Sequence, residues 1–206
     1  MSRYDVTGDE GEYEAGSNGQ VLKNKAGINT SEEMNLTETD LLEDLYLHVF
    51  NDFPQALNIA TLYQWHRIWL GNVYSWAGQI RTVDMSKPDI HFASPLQIAK
   101  LAERFDTTYL NRFDELPNMD DEALVRLLAE VHVEFILIHP FREGNGRMSR
   151  LLLDVMAVKA GAEPLDYILW DTHKEYYFKS VQAGRDGDYQ YIERLIKDAT
   201  NTEGEV

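Results

Sequence analysis

The sequence contains no cysteine, which excludes disulfide staples, thiolate metal sites and cysteine nucleophiles. It has no apolar run near the roughly 20 residues that a membrane-spanning helix requires. Its first ten residues, MSRYDVTGDE, lack the apolar stretch of a secretory signal. Basic side chains are scarce: 19 Lys and Arg stand against 35 Asp and Glu, a formal net charge of -16. A surface this negative has no cationic excess to replace the counterions of phosphate or anionic lipid. Neither nucleic acid nor membrane is therefore expected as a direct partner, and a cytoplasmic location is expected.

Hydrophobic residues make up 44% of the chain and charged residues 26%, the balance of a folded protein rather than a disordered acidic tail. Length favours a single domain that buries roughly 70% of the unfolded chain's surface. The charge is uneven, with eleven acidic and three basic side chains in residues 1–50. This reads as a solvated face, or as a field that steers a basic partner. The expected division is a lead segment at 1–35, a main domain at 36–199 and a flexible tail at 200–206.

The lead segment is polar and glycine-punctuated, with Ser17-Asn18-Gly19 as a turn. Tyr13, Val21, Leu22 and Ile28 are its docking residues. A first helix is expected after Asn35 or Thr37, either serving as cap, through Leu41, Leu42, Leu45 and Val49. A second covers Ala60 to about Val73. Residues Ile80–Met85 then alternate by twos, Lys87-Pro88-Asp89 reads as a turn, and Ile90-His91-Phe92 alternates again, giving a short β-hairpin at 80–93. Ser94-Pro95 starts a helix from Leu96 to about Arg112, with Leu96 on its apolar face. Another runs from Asp120 and is apolar on every face at Phe135–Ile138, as for a helix through the centre of the domain. Pro140 stops it. Three more helices follow: one over 147–160, one capped by Asp171 or Thr172, and one from Asp188 to Ala199. The expected fold class is all-α with one protruding β-hairpin.

The chemistry concentrates in His139-Pro140-Phe141-Arg142-Glu143-Gly144-Asn145-Gly146-Arg147-Met148-Ser149-Arg150. A histidine ends a buried helix, and a glycine-rich turn leads into the next helix start, where converging backbone N–H groups make an anion site. Arg147 and Arg150 are three apart and share a helix face, which suits a polyphosphate. Glu143 beside such a nest calls for a divalent cation between it and the phosphates. His139 is the group with a pKa suited to take a proton from a nucleophile. His132, seven residues earlier, could share a zinc site with His139. There is no His-Glu-x-x-His and no third ligand nearby, so a packed, hydrogen-bonded residue is the better reading.

This stretch resembles the signature of the Fic (filamentation induced by cAMP) family, His-x-Phe-x-Asp/Glu-Gly-Asn-Gly-Arg-x-x-Arg, with every position filled. Leu22-Lys23-Asn24, Gly27-Ile28 and Val73-Tyr74-Ser75-Trp76-Ala77-Gly78-Gln79-Ile80-Arg81 look like bacterial stand-alone members. The resemblance implies an all-α fold with a hairpin flap and transfer of AMP from ATP to a Ser, Thr or Tyr hydroxyl of a target protein. Carried over by position, His139 deprotonates that hydroxyl and Phe141 anchors the loop. Glu143 holds Mg²⁺. Asn145, with the Gly144 and Gly146 backbone, cradles phosphate. Arg147 takes the β-phosphate region and Arg150 the γ-phosphate. The flap residues Ile80, Arg81, Val83 and Phe92 are expected to dock the target or shield the site. Relatives that transfer a phosphoryl group instead carry Lys where this chain has Gly146.

Many relatives block the last motif arginine with a glutamate from a Ser/Thr-x-x-x-Glu-Gly/Asn helix. The nearest copy here is Ala199-Thr200-Asn201-Thr202-Glu203-Gly204, which lacks the hydroxyl residue. The resemblance therefore points to the toxin of a toxin–antitoxin pair, with a small antitoxin protein supplying the glutamate to Arg150. The alternatives are removal of AMP from modified proteins and a non-catalytic interaction protein.

Overall fold

A computed structural model describes residues 9–87 and 90–200. Among the described residues eight α-helices carry the fold: α1 (Ser31–Asn51), α2 (Ile59–Leu70), α3 (Pro95–Thr108), α4 (Asp121–Ile138), α5 (Asn145–Lys159), α6 (Ile168–Thr172), α7 (Lys174–Arg185) and α8 (Gln190–Thr200). One two-stranded ladder, β1 (Ser86–Lys87) and β2 (Ile90–His91), is antiparallel, with Ser86 opposite His91 and Lys87 opposite Ile90. The fold is all-α with one hairpin.

Helix α4 forms the axis. Asp120 caps it by accepting from the Ala123 N–H at 2.8 Å, and eleven of its residues, from Leu124 to Ile138, are buried. Helices α3, α5, α7 and α8 pack around it. The helix ends at His139, whose φ of 48° and ψ of 59° are left-handed. Pro140 disfavours a helical residue before it, and a left-handed non-glycine residue stores about 1–3 kcal/mol that the surroundings must hold.

Three boundaries differ from the sequence expectation. Helix α1 starts at Ser31, because Thr30 accepts from the Glu33 N–H at 3.4 Å; Thr30-x-x-Glu33 is a capping pair that precedes Asn35 and Thr37. The hairpin ladder is confined to 86–91. Val83 and Met85 upstream are buried without strand partners, so their alternation records burial rather than pairing. Helix α3 ends at Thr108 and continues as a 3₁₀ segment over Leu110–Asn118, while Leu96 is 95% exposed.

The lead segment is tied down by a Tyr13–Leu22 bridge and by burial of Val21 and Ile28, with the turn made by Asn18 and Gly19 at positive φ. Glu10 reaches the flap base, accepting from the Thr82 N–H and hydroxyl at 3.2 and 3.0 Å. Among the described residues no helix is long and apolar enough to cross a membrane.

Candidate active site

The turn between α4 and α5 is built on Phe141. Its ring is fully buried and stacks on His66 at 3.9 Å and 11°. His66 braces the loop in turn, with Nε2 3.0 Å from the Glu143 carbonyl and Nδ1 accepting from the Gly78 N–H at 2.8 Å. Burial lowers His66 to about 4, so the ring stays neutral. Asn145 closes the turn, its Oδ1 accepting from the Phe141 N–H at 2.9 Å and its Nδ2 donating to the Phe141 carbonyl at 2.7 Å. The Asn145 amide shapes the loop through these two bonds. The Gly144 N–H likewise donates to Glu143 Oε1 at 3.0 Å.

Gly144 sits at φ +84°, and a Cβ there would lie 2.5 Å from Trp69 Cζ3. Only glycine fits. Gly146 is different: its φ is not left-handed and a Cβ would meet nothing within 4 Å. The space beside it is open to a ligand. The first turn of α5 leaves the N–H groups of residues 145–147 without intrahelical acceptors, at the positive end of the helix dipole.

His139 is 3% exposed. Its Nδ1 lies 3.1 Å from the Ile136 carbonyl, a contact that only an Nδ1–H can make, so Nε2 carries the basic lone pair. Phe92 from the flap stacks on the ring at 3.7 Å and 14°. Phe92, Val83, Met85 and Ile90 pack with Ile136 and Val181 in a second apolar cluster, while Ile80 packs against the main core.

Arg81 departs from its expected role in target docking. It is 1% exposed, and its Nε donates to the His139 carbonyl at 2.7 Å. The two terminal nitrogens donate to the carbonyls of Val83 at 2.6 Å and Ala93 at 2.5 Å. Arg81 clamps both legs of the flap to the strained histidine backbone, and burial lowers its pKa to about 10.

The two arginines of α5 are each held by a residue that the sequence reading did not single out for them. Arg147 donates to Glu38 of α1 at 2.7 Å and lies 4.5 Å above the Trp69 ring. Glu38 is 4% exposed and also accepts from the Tyr74 hydroxyl at 2.8 Å. Glu143 Oε1 lies 3.5 Å from the same guanidinium. Arg150 makes a two-pronged pair with Asp171 of α6, at 3.0 and 2.7 Å, and the hydrogen bonds hold that carboxyl below its usual range. Asp171 is thus an arginine partner and not a helix cap. Glu203, the sequence candidate for that contact, lies outside the described residues.

A cavity of about 360 Å³ joins these parts. It is lined by His139, Glu143–Arg147 and Arg150, by Lys87, Ile90 and Phe92 of the flap, and by Trp170, Asp171, Lys174, Tyr177 and Phe178 across the gap. One imidazole, two carboxylates, a helix N-terminus and two guanidinium groups therefore face one space. That is the equipment of an enzyme acting on a phosphorylated ligand. His132 is fully occupied elsewhere, with Ser149 on Nδ1 and Tyr177 on Nε2.

A family model described as the Fic/DOC family matches residues 56–157. A probable protein adenylyltransferase of Sinorhizobium fredii is 30% identical over 143 residues, covering 69% of this chain and 73% of the relative. A protein adenylyltransferase Fic of Culex quinquefasciatus is 35% identical over 94 residues, 44% of this chain but 18% of that protein. The chain therefore spans under a fifth of the mosquito relative and about three quarters of the bacterial one. The Fic domain structure of Bep8 from Bartonella sp. 1-1C matches with a TM-score of 0.77 at 20% identity, over 89% of this chain and 92% of that one. BepC from Bartonella tribocorum, solved with AMPPNP, matches with a TM-score of 0.71 at 23% identity, over 89% and 93%. The chain belongs to the Fic/DOC family.

Proposed function

We propose that the chain is a protein adenylyltransferase that moves AMP from ATP onto a Ser, Thr or Tyr hydroxyl of a target protein. The observation that carries this reading is the shared cavity of His139, the α5 N-terminus, Arg147 and Arg150. With its Nδ1 proton directed to Ile136, His139 accepts the hydroxyl proton at Nε2 as the oxygen attacks the α-phosphorus and pyrophosphate leaves. Arg147 and Arg150 hold the β- and γ-phosphates and set the α-phosphate in line. The open N–H groups of the α5 first turn face the oxygens on which charge develops. The open space at Gly146 suits a triphosphate at this end of the cavity, and the AMPPNP of the BepC structure supports a nucleotide ligand.

Among the described residues no group of three or more His, Asp or Glu forms a metal cage. Glu143 in the cavity wall would be the carboxylate to hold a Mg²⁺, a hard cation that takes oxygen ligands. When bound, that ion neutralises phosphate charge.

Lys87, Ile90 and Phe92 of the hairpin line the cavity, so an extended target segment could add backbone hydrogen bonds there. The toxin role belongs to the same proposal: a small partner protein supplies a glutamate to Arg150, displacing Asp171. Co-expression with such a partner is expected to suppress transfer; unchanged transfer would remove that part alone. For the reaction itself, incubation of the chain with a bacterial lysate and ATP labelled at the α-phosphate is expected to give a labelled protein band. That band is lost with His139→Ala. A band that persists in the variant counts against His139 as the base.

A further inference from the structure

The two arginines of α5 that face the cavity are held in different ways. Arg150 commits both terminal nitrogens to Asp171, whose side chain is 56% exposed and itself lines the cavity. Arg147 donates through one terminal nitrogen, Nη2, to Glu38 Oε2 at 2.7 Å, and the same nitrogen lies 3.5 Å from Glu143 Oε1. Its Nε and Nη1 have no hydrogen-bond partner among the described residues. Glu38 sits behind the wall: it is 4% exposed and lies outside the cavity lining that includes Arg147.

Glu38 is fixed at three points. Its backbone carbonyl accepts from Trp69 Nε1 at 2.8 Å, its Oε1 accepts from the Tyr74 hydroxyl at 2.8 Å, and its Oε2 accepts from Arg147. Tyr74 is 2% exposed and stacks on Trp76 at 4.4 Å and 14°. The residue that holds the guanidinium by an edge therefore also orients the indole beneath it, with Arg147 4.5 Å above the Trp69 ring. The far edge of that ring closes on Gly144, where a Cβ would lie 2.5 Å from Cζ3. One nitrogen and one face of Arg147 are thus taken by buried partners, and the other N–H groups are left for a ligand. An arginine that must be ordered to grip a phosphate loses rotamer freedom in doing so, and a guanidinium already held flat loses less.

We propose that Glu38 is a positioning residue for Arg147: its carboxylate stays bonded while the nucleotide is bound, holds the guanidinium flat on Trp69, and so strengthens the grip on the β-phosphate. The opposite role is competition, in which Glu38 occupies Arg147 as Asp171 occupies Arg150 and must give way to the phosphate. The two roles carry opposite signs. Removing a competitor tightens the nucleotide, whereas removing a positioning carboxylate loosens it. The geometry favours positioning, because Glu38 engages one nitrogen from outside the cavity and leaves two nitrogens of the fork without a partner. The proposal rests on the nucleotide reading of the cavity.

Calorimetric titration of ADP and of AMP into the full chain, both with Mg²⁺ present, tests it. ADP carries the β-phosphate and AMP does not, so AMP reports any general disturbance of the site. Glu38→Gln keeps the length of the side chain and removes its charge. It is expected to weaken ADP about tenfold and to leave AMP unchanged. Tyr74→Phe keeps the ring stack and removes one bond to the carboxylate; it is expected to weaken ADP about threefold, again with AMP unchanged. Should Glu38→Gln fail to fold, Tyr74→Phe decides by the same split. An ADP affinity that is unchanged or tighter overturns the proposal, and so do equal losses for ADP and AMP, which assign Glu38 to structure alone. These results in a chain whose wild type binds ADP leave the nucleotide reading standing. A wild-type chain that binds neither nucleotide refutes that reading, and the proposal with it.

Discussion

Substitution of Asp171 by Asn tests whether the Arg150 fork is occupied in the ligand-free protein. Both terminal nitrogens of Arg150 point at one carboxylate, so a terminal phosphate that takes the fork must first displace it. The carboxylate is ionised at neutral pH, since the arginine holds its pKa down. The Asp171 side chain is 56% exposed and that of Arg150 27%, which places the pair near the surface value of about 0.5–1 kcal/mol rather than the buried one. Removing that competition is expected to tighten ATP binding about 2- to 5-fold. AMP, which has no phosphate to reach Arg150, is expected to bind unchanged. The assay is calorimetric titration of Mg-ATP and AMP into His139→Ala, with and without Asp171→Asn, so that turnover does not intrude. An ATP affinity that is unchanged or weaker refutes the reasoning and assigns Asp171 to holding Arg150 in place.

Other perturbations follow from the same geometry. Arg81→Leu strands the carbonyls of His139, Val83 and Ala93 and is expected to cost roughly 3 kcal/mol in urea unfolding; a loss under 1 kcal/mol would contradict the clamp. Gly144→Ala forces a Cβ into Trp69 at positive φ and is expected to reduce transfer at least about a hundredfold through loop displacement. Gly146→Ala, with open space and an ordinary helical backbone, is expected to leave stability unchanged or raise it by up to about 1 kcal/mol, with thermal melting as the check. His66 and His132 have folded pKa values lowered to about 4 and about 3 from 6.5. The native state then binds fewer protons than the unfolded chain below pH 6.5, so stability is lost as pH falls toward 4. From pH 7 to 5 the fall is expected to be about 2–4 kcal/mol, partly opposed by the raised Asp154 and Glu130 carboxyls. A flat profile by denaturant unfolding would contradict two buried neutral histidines.

The sequence was most informative where local chemistry dictates local structure. Asp120 as a helix start, the apolar run at Phe135–Ile138, and the glycines and arginines around Asn145 each carry their own signal within a few residues. The site's long-range half had no such signal. Glu38 reads as one more charge on an acidic helix, and Asp171 as a cap; each meets its arginine only through the packing of α1 and α6 onto α5. Arg81 was placed on the flap by resemblance alone, and no local signal announces the three carbonyls that make its burial tolerable. Thr30-x-x-Glu33 is a cap signal in the sequence, but the apolar periodicity begins only at Leu41 and places the start at Asn35 or Thr37. Leu96 shows the converse error: a leucine in the first turn of a helix satisfies the periodicity and yet has nothing to pack against.

The central claim is that the α-phosphate is the group transferred and that His139 is the base. Parallel reactions with ATP labelled at the α- or the γ-phosphate, using purified wild-type chain, His139→Ala and a bacterial lysate as the source of target, test it most directly. The account predicts protein-bound label from the α position alone, absent in the variant. Protein-bound label from the γ position, or α-label that survives the loss of His139, would contradict it.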